Sequence, residues 1–214
     1  MKKDEREENL KQKLEEMLSY ERALWDGGVK NVAGVDEVGR GPLAGPVCAA
    51  CVVLPPDFDV TGINDSKKLS EKKRAALFDL IIEKAVAYGI GTAGEREIDE
   101  INILNAAFLA MTRAVDALTI RPDFCYVDGN QKIKGLKIPC EAIVKGDGKC
   151  PSIAAASILA KVSRDNFMNT LDEQYPQYNF KKHKGYGTAE HIELIKKFGS
   201  ADIHRTSFLK NIIK

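Results

Sequence analysis

The chain has 214 residues, of which 44% are hydrophobic, and a formal net charge of +1. This length predicts one domain with an appendage, or at most two domains, with enough apolar residues for a sizeable core. The balanced charge excludes a globally basic nucleic-acid-binding protein, so any such surface has to be a local patch. An odd number of cysteines and no apolar run of membrane-spanning length indicate a reduced, cytoplasmic protein that does not contact membranes.

The first 28 residues form a segment of their own in our interpretation. Charges of both signs dominate it, and Gly27 and Gly28 end a predicted helix. The apolar stripe of this helix consists of Leu10, Leu14, Met17 and Leu24. We expect the segment 1–28 to be docked on, or mobile beside, a domain at 29–214. Binding of a partner protein is the alternative for this helix.

Two predicted strands flank a turn that is rich in glycine and proline. A short apolar run from residue 32 ends in the adjacent carboxylates Asp36 and Glu37, and the apolar residues 47–54 predict the second strand. Because a strand and not a helix follows the glycines, they do not form a dinucleotide-binding fingerprint. Neighbours in a strand face opposite ways, so Asp36 and Glu37 share a site only if the strand bulges or Glu37 reaches in from the edge.

The remaining elements follow from hydrophobic periodicity and from capping residues. In chain order they are a helix at 71–88, a strand at 90–94, a helix at 97–118, strands at 123–128 and 138–144, and helices at 151–173 and 189–198. Pro151 suits the first turn of its helix, and Thr188 is the expected N-cap of the last one. The pattern predicts an α/β fold, a mixed sheet with helices packed on it.

Cys48 and Cys51 have the C-x-x-C spacing of some zinc and redox sites. They stand in a predicted strand, where residues three apart point to opposite faces. We interpret them as buried structural cysteines.

Four carboxylates share one kind of position: each lies at the end of a strand and next to a turn that contains glycine. They are Asp36, Glu37, Asp128 and Asp147. If these strand ends lie on one edge of the sheet, the four side chains converge and repel one another unless protons or cations intervene. Oxygen ligands favour hard cations such as Mg²⁺ or Mn²⁺, and two such ions can support a phosphoryl displacement. Alternatively, the four are unrelated turn formers, because Asp beside Gly favours turns.

Basic residues form two clusters that a polyanion could contact, at 67–74 and at 181–184. Tyr186 follows the second cluster between two glycines, and an aromatic ring among lysines is typical of surfaces that stack on a sugar or base. His183 could carry a proton near pH 7 or bind phosphate. The alternative for both clusters is a solvated face.

With these motifs in place, the chain resembles the ribonuclease HII family, the bacterial type 2 ribonucleases H. The matching segments occur in family order and cover the chain from about residue 32 to residue 208. They are GVDEVGRGPLAGPV at 34–47, NDSKKL at 64–69, VDG at 127–129, KGD at 145–147, IAAASILAKVSRD at 153–165, HKGYGT at 183–188 and HRTSF at 204–208.

The resemblance implies a ribonuclease H-like mixed five-stranded sheet flanked by helices, with a short C-terminal helical region and the N-terminal helix outside the shared core. It implies that Asp36, Glu37, Asp128 and Asp147 are catalytic and bind two Mg²⁺ or Mn²⁺ ions. The implied enzyme is an endonuclease that hydrolyses the RNA strand of RNA–DNA hybrids. It also cuts on the 5′ side of a ribonucleotide embedded in duplex DNA, leaving a 3′-hydroxyl and a 5′-phosphate, and so removes misincorporated ribonucleotides and RNA primers.

The resemblance also implies a substrate surface. Gly39, Arg40 and Gly41 match the element that senses the 2′-hydroxyl, and Tyr186 matches the ring that packs on the following deoxyribose. Further residues expected to contact the nucleic acid are Lys67, Lys161, Arg164 and His183. We expect a monomer whose partner is nucleic acid. A 3′-exonuclease of the same fold and a catalytically silent hybrid-binding protein are the alternatives.

Overall fold

The computed structural model describes residues 3–63, 70–210 and 212. The helices of these residues are α1 (Lys3–Asp26), α2 (Glu71–Lys84), α3 (Glu95–Asp116), α4 (Pro151–Gln174), α5 (Phe180–His183), α6 (Ala189–Phe198) and α7 (Thr206–Leu209). The strands are β1 (Val32–Val38), β2 (Val47–Val53), β3 (Ala87–Ala93), β4 (Phe124–Asp128) and β5 (Cys140–Ile143). None of the described helices combines the length and the apolar character that crossing a bilayer requires.

The five strands form one mixed sheet, as predicted, and their order in it is β3-β2-β1-β4-β5. β1 pairs antiparallel with β2 and β2 with β3, whereas β1, β4 and β5 run parallel to one another. Val35 of β1 pairs with Val127 of β4. The next residue of each strand is a carboxylate, so Asp36 and Asp128 arrive side by side at the same edge of the sheet.

Helices cover both faces of the sheet. In β2, Ala49, Cys51 and Val53 pack into the layer that contains α3, whereas Ala50 and Val52 pack against α4. Burial on both faces explains why this strand is apolar throughout and shows no alternation with polar residues. The two thiols of the C-x-x-C spacing are buried and free, which confirms their interpretation as structural cysteines.

The predicted boundary between the second helix and the third strand is wrong. α2 ends at Lys84 and β3 begins at Ala87, so Tyr88 and Gly89 belong to the strand. A Cβ atom at Gly89 would lie 2.2 Å from the carbonyl oxygen of Ala114 in α3. This glycine therefore permits a helix to approach a strand closely, a role that the sequence does not distinguish from a helix stop.

The N-terminal helix α1 is docked on the rest of the molecule, although the division into 1–28 and 29–214 stays a prediction. The Tyr126 hydroxyl donates to the main-chain oxygen of Tyr20 at 3.1 Å. Glu21 is buried, and its Oε1 accepts hydrogen bonds from the Ser152 amide at 2.8 Å and from the Cys150 thiol at 3.2 Å. Glu21 thus satisfies an amide at the N-terminus of α4. Burial raises the pKa of Glu21, and the bonds from Ser152 and Cys150 oppose that effect only in part.

We expect Glu21→Ala to lower the free energy of unfolding by about 1–2 kcal/mol, because a buried helix-terminal amide loses its acceptor. Glu21→Gln keeps an acceptor oxygen and should cost less. The raised pKa means that the fold favours the neutral acid, so the wild type loses stability as the pH rises through the folded-state pKa. The free energy of unfolding of Glu21→Gln, measured with urea, should therefore rise relative to that of the wild type between pH 5 and pH 8. Equal losses for Ala and Gln at both pH values would contradict this role.

Candidate active site

A cavity of about 320 Å³ lies at the edge of the sheet where β1 and β4 end. Three of the four predicted carboxylates, Asp36, Glu37 and Asp128, line it. The other lining residues are Val38, Arg74, Ser157 and Lys161. α2 contributes the arginine and α4 contributes the serine and the lysine, so elements that are distant in the sequence build one acidic cavity with basic residues on its wall.

Asp36 is the most buried of the three carboxylates, with 6% of its surface exposed. Its Oδ1 accepts a 2.7 Å hydrogen bond from the Glu37 amide, and the Ser157 hydroxyl is a further donor. Burial, followed by the charges of Glu37 and Asp128, raises the pKa of Asp36 well above its usual range. Positive charge beside Asp36 would stabilise its ionised form.

Glu37 reaches the cavity from the end of its strand. The register between β1 and β2 is uninterrupted through Asp36, Glu37 and Val38, which excludes a bulge in this ladder. The pairing with β4 stops at Val35, so Glu37 lies beyond the paired part of β4. Burial raises the pKa of Glu37, and Arg40, whose Nη1 lies 3.5 Å from Glu37 Oε1, opposes that shift.

Asp128 binds the backbone amide of Gly146, the residue directly before Asp147. Asp128 Oδ1 accepts a 2.6 Å hydrogen bond from the amide of Gly146, which begins a 3₁₀ turn at Gly146–Gly148. Asp147 is the next residue of this turn, but it is not among the residues that line the cavity. Of the four carboxylates that the sequence predicts to converge, three line the cavity and Asp147 lies beside it.

The chemistry of this donor set fits a hard divalent cation. The three lining carboxylates offer only oxygen, which Mg²⁺ and Mn²⁺ prefer, and the pKa of Asp36 is raised in part by the charges around it. Within the residues that the structure describes, no group of three His, Cys, Asp or Glu side chains is arranged as a ready ligand set. An ion would therefore have to draw these carboxylates closer together.

Two buried arginines hold the glycine-rich turn that follows β1. Arg164 donates to the carbonyl oxygens of Pro46 at 2.9 Å, Ala44 at 3.2 Å and Lys184 at 3.0 Å. Its donors therefore serve the chain's own backbone and support the turn, and contact of Arg164 with nucleic acid stays a prediction. His183 is placed similarly, because its buried ring nitrogens both engage backbone groups, and its contact with nucleic acid also stays a prediction.

Arg205 is the site residue that the sequence analysis missed. It donates to the carbonyl oxygens of Gly39 at 2.6 Å, Arg40 at 3.0 Å and Gly45 at 2.7 and 2.9 Å. Burial, with the nearby charge of Arg164 second, lowers the pKa of Arg205 to about 9. The HRTSF segment, which matches the family, is the sequence feature that points to Arg205. An arginine in this segment could equally be a solvated surface charge.

The predicted recognition residues lie together on the surface beside this turn. Tyr186 is 40% exposed, and a Cβ atom at Gly41 would lie 3.9 Å from Cε1 of its ring. Half of the Arg40 side chain is exposed, at 51%. Lys161 lines the cavity and its Nζ lies 2.6 Å from Asp165 Oδ1. Lys67 lies outside the described residues.

A mixed five-stranded sheet in this order, with acidic residues at one edge of its central strands, defines a ribonuclease H-like nuclease. The profile of ribonuclease HII matches residues 33–211 of the chain. Ribonuclease HII of Acetivibrio thermocellus is 54% identical over 198 residues, which cover 92% of this chain and 77% of that protein. The chain belongs to the ribonuclease HII family, and its activity is cleavage of RNA in RNA–DNA hybrids.

Solved structures agree with this assignment. The ribonuclease H2 from Pyrococcus horikoshii OT3 has a TM-score of 0.69 and 30% identity, covering 83% of this chain and 93% of that one. Bst-RNase HIII in complex with Mn²⁺ has a TM-score of 0.61 at 19% identity, covering 79% of this chain and 63% of that one, and shares the fold. The family assignment favours an endonuclease over the exonuclease and hybrid-binding alternatives.

We expect Asp36→Asn to raise the free energy of unfolding in EDTA by about 1 kcal/mol, because it removes a buried charge that Glu37 and Asp128 repel. Asn is nearly isosteric and keeps an acceptor for the Glu37 amide. Asp79→Asn on the exposed face of α2 is the matched control and should change little. A less stable Asp36→Asn variant would contradict the description of the cavity as an unfavourable concentration of charge.

Proposed function

We propose that the chain is a metal-dependent endonuclease that recognises a junction between ribonucleotide and deoxyribonucleotide. It cuts on the 5′ side of a ribonucleotide, in hybrids and where one ribonucleotide is embedded in duplex DNA, and leaves a 3′-hydroxyl and a 5′-phosphate. The observation that carries this proposal is the position of the acidic cavity next to the turn at 39–41 and the exposed ring of Tyr186. Removal of misincorporated ribonucleotides and RNA primers follows from that specificity.

Asp36, Glu37, Asp128 and Asp147 are the residues that would hold two Mg²⁺ or Mn²⁺ ions. When bound, such ions activate the attacking water and stabilise the departing 3′-oxygen as Lewis acids. The raised pKa of Asp36 and the all-oxygen donor set support this role, and Bst-RNase HIII, which shares the fold, binds Mn²⁺. Asp147 would join from its position directly after Gly146.

The basic residues on the cavity wall give the substrate's phosphates a place to bind. Lys161 and Arg74 line the cavity from α4 and α2. Contacts of this kind position a nucleic-acid backbone without reading its sequence. The ion pair with Asp165 restrains the Lys161 ammonium group at the cavity wall.

The turn at 39–41 is suited to detecting a 2′-hydroxyl, the group that distinguishes RNA from DNA at a given position. Arg205 binds the carbonyl oxygens of Gly39 and Arg40 and thereby fixes their peptide planes. With a glycine at 41, the backbone can approach a sugar without an intervening Cβ, whereas a Cβ atom at Gly39 would lie 2.3 Å from Arg164 Nε, so that glycine makes room for the arginine. Polar groups placed to bind one hydroxyl reject a sugar that lacks it, because they are then left unpaired.

Tyr186 completes the junction test. Its exposed ring, close to Gly41, offers an apolar face on which the deoxyribose after the ribonucleotide can pack. The guanidinium of Arg164 lies 5.9 Å from the ring centroid and supports the ring from within. The turn selects a ribose and the ring selects the deoxyribose that follows.

We expect Asp36→Asn to reduce cleavage in Mg²⁺ by more than about 100-fold while substrate binding, measured by fluorescence anisotropy in EDTA, stays within a few-fold. Mg²⁺ or Mn²⁺ should raise the thermal unfolding midpoint of the wild type and of the Asp79→Asn control, and raise that of Asp36→Asn much less. Near-normal turnover by Asp36→Asn would remove Asp36 from the metal site.

We expect Tyr186→Ala to reduce cleavage at a single embedded ribonucleotide by about tenfold, the usual cost of losing one stacking contact. Long hybrids, with no deoxyribose at most cut sites, should lose less. Tyr186→Phe keeps the ring and serves as the control. Unchanged cleavage of the embedded ribonucleotide by Tyr186→Ala would show that the ring does not read the junction.

A further inference from the structure

All three histidines of the chain lie together beneath the loop that carries Tyr186. His183 and His191 stack with ring centroids 4.3 Å apart and ring planes inclined by 18°. Nε2 of His191 lies 3.2 Å from Nε2 of His204. Each of the three side chains is buried, so the partners of their ring nitrogens are groups of the protein itself.

The contacts of His183 and His191 define where these rings carry their protons. His183 Nε2 lies 2.7 Å from the Tyr178 carbonyl oxygen, which can only accept, and its Nδ1 accepts from the Gly185 amide at 3.2 Å. His191 Nδ1 lies 3.0 Å from the carbonyl oxygen of Tyr186 and must be its donor. In a neutral ring, Nε2 of His191 is then an acceptor.

The ring of His204 completes the set. Its Nε2 donates to the acceptor Nε2 of His191, and its Nδ1 accepts from the Ala201 amide at 3.0 Å. The Ala201 carbonyl lies 3.2 Å from the same Nδ1, but donation to it would leave two facing acceptors unless His191 became charged. All six ring nitrogens thus have partners with three neutral rings.

The surroundings of the cluster favour these neutral rings. Burial lowers the pKa of all three histidines, and for His191, with the charges of His183 and His204 also opposing protonation, to about 4. The charged groups that act on the pKa of His183 are Glu190 and Asp172, which raise it, and Lys182, which lowers it. Their effects are smaller than that of burial, so the neutral arrangement persists at neutral pH.

Backbone hydrogen bonds join the loop that carries Tyr186 to the glycine-rich turn. The Leu43 amide donates to the Gly185 carbonyl at 2.8 Å, and the Arg205 amide donates to the Leu43 carbonyl at 2.8 Å. A Cβ atom at Gly185 would lie 2.5 Å from the Ala44 carbonyl oxygen, so the loop and the turn are in close contact. His204 and Arg205 are consecutive, which places the end of the histidine cluster next to the arginine that binds Gly39 and Arg40.

We propose that His191 is a positioning residue for Tyr186. It holds the main chain of Tyr186 through its Nδ1 proton, and His204 fixes that tautomer by donating to the opposite nitrogen. Through His204 and Arg205 the ring that packs on deoxyribose is kept in register with the turn that detects ribose. This inference rests on the proposed function of Tyr186, and it predicts an effect on junction preference, with the cavity chemistry unchanged.

The tautomers can be measured on the wild-type protein with ¹⁵N-labelled histidine. Long-range ¹H–¹⁵N correlation spectra at pH 7.5 should show two rings protonated on Nε2 and one, His191, protonated on Nδ1, the minor form of the free side chain. The His191→Asn spectrum identifies the His191 signals. Nε2 protonation or a charged ring at His191 would overturn the proposal, whether or not any other variant folds.

A matched pair of variants tests the consequence for selectivity. His191→Asn keeps an N–H donor near the position of Nδ1, whereas His191→Leu removes it. The measured quantity is kcat/KM for a duplex with one embedded ribonucleotide divided by kcat/KM for a long hybrid. His191→Leu should lower this ratio about fivefold to tenfold, mainly through KM, and His191→Asn should stay within about twofold of the wild type.

Tyr186→Ala, assayed beside these variants, distinguishes the proposed function of Tyr186 from the positioning role of His191. If Tyr186→Ala leaves the ratio unchanged, the proposed function of the ring is wrong. If Tyr186→Ala lowers the ratio but His191→Leu does not, or if Asn and Leu lower it equally, the positioning role of His191 is overturned and the role of Tyr186 remains.

Discussion

Mutual repulsion between carboxylates at one edge of the sheet is the constraint on which the rest of the molecule depends. The parallel pairing of β1 with β4 brings Asp36 and Asp128 side by side, and the following residue of β1 adds Glu37. Burial and this repulsion raise the pKa of Asp36, so the arrangement opposes folding when no positive charge is present. Proteins retain such unfavourable groups where function requires them, and attracting cations to one place is the function that we propose for them.

The glycine-rich turn lies beside the cavity and is held by two buried arginines. Within the described residues, neither arginine has a carboxylate among its hydrogen-bond partners. Arg164 and Arg205 direct their guanidinium donors to backbone carbonyl oxygens of the glycine-rich turn and its neighbours. Carbonyl dipoles offset part of the cost of burying a guanidinium, as the lowered pKa of Arg205 indicates. Groups mounted on such a framework keep a fixed distance from the carboxylates, which the proposed cleavage at a defined bond requires.

Features set by short-range chemistry could be predicted from the sequence. Thr188 caps α6, Pro151 begins α4, and the apolar runs of β1 and β2 occur where they are expected. The predicted end of α2 was wrong because Gly89 serves a contact with a helix distant in the sequence. The positions of Asp36, Glu37 and Asp128 at strand ends predicted that they converge, and they line one cavity because β1 and β4 run parallel and end at the same edge.

What the sequence could not supply was the distinction between a polar residue that faces solvent and one that faces the backbone. Arg164 and His183 were expected at the nucleic acid and are buried, and Arg205 was missed because its partners are carbonyl oxygens at the opposite end of the chain. Hydrophobic periodicity contains no signal for such contacts, and the HRTSF motif includes Arg205 without showing which groups it binds. The hydrogen bond from the Gly146 amide to Asp128, which brings the turn with Asp147 next to β4, is another such contact.

The most direct test of a carboxylate cavity coupled to a junction-reading surface is the position of the cut in a DNA duplex that contains one ribonucleotide. With end-labelled strands and Mg²⁺, we expect a single break on the 5′ side of the ribonucleotide, a 3′-hydroxyl that a polymerase can extend, and no cleavage in EDTA. Breaks on the 3′ side, equal cleavage of an all-DNA duplex, or cleavage that persists in EDTA would contradict it.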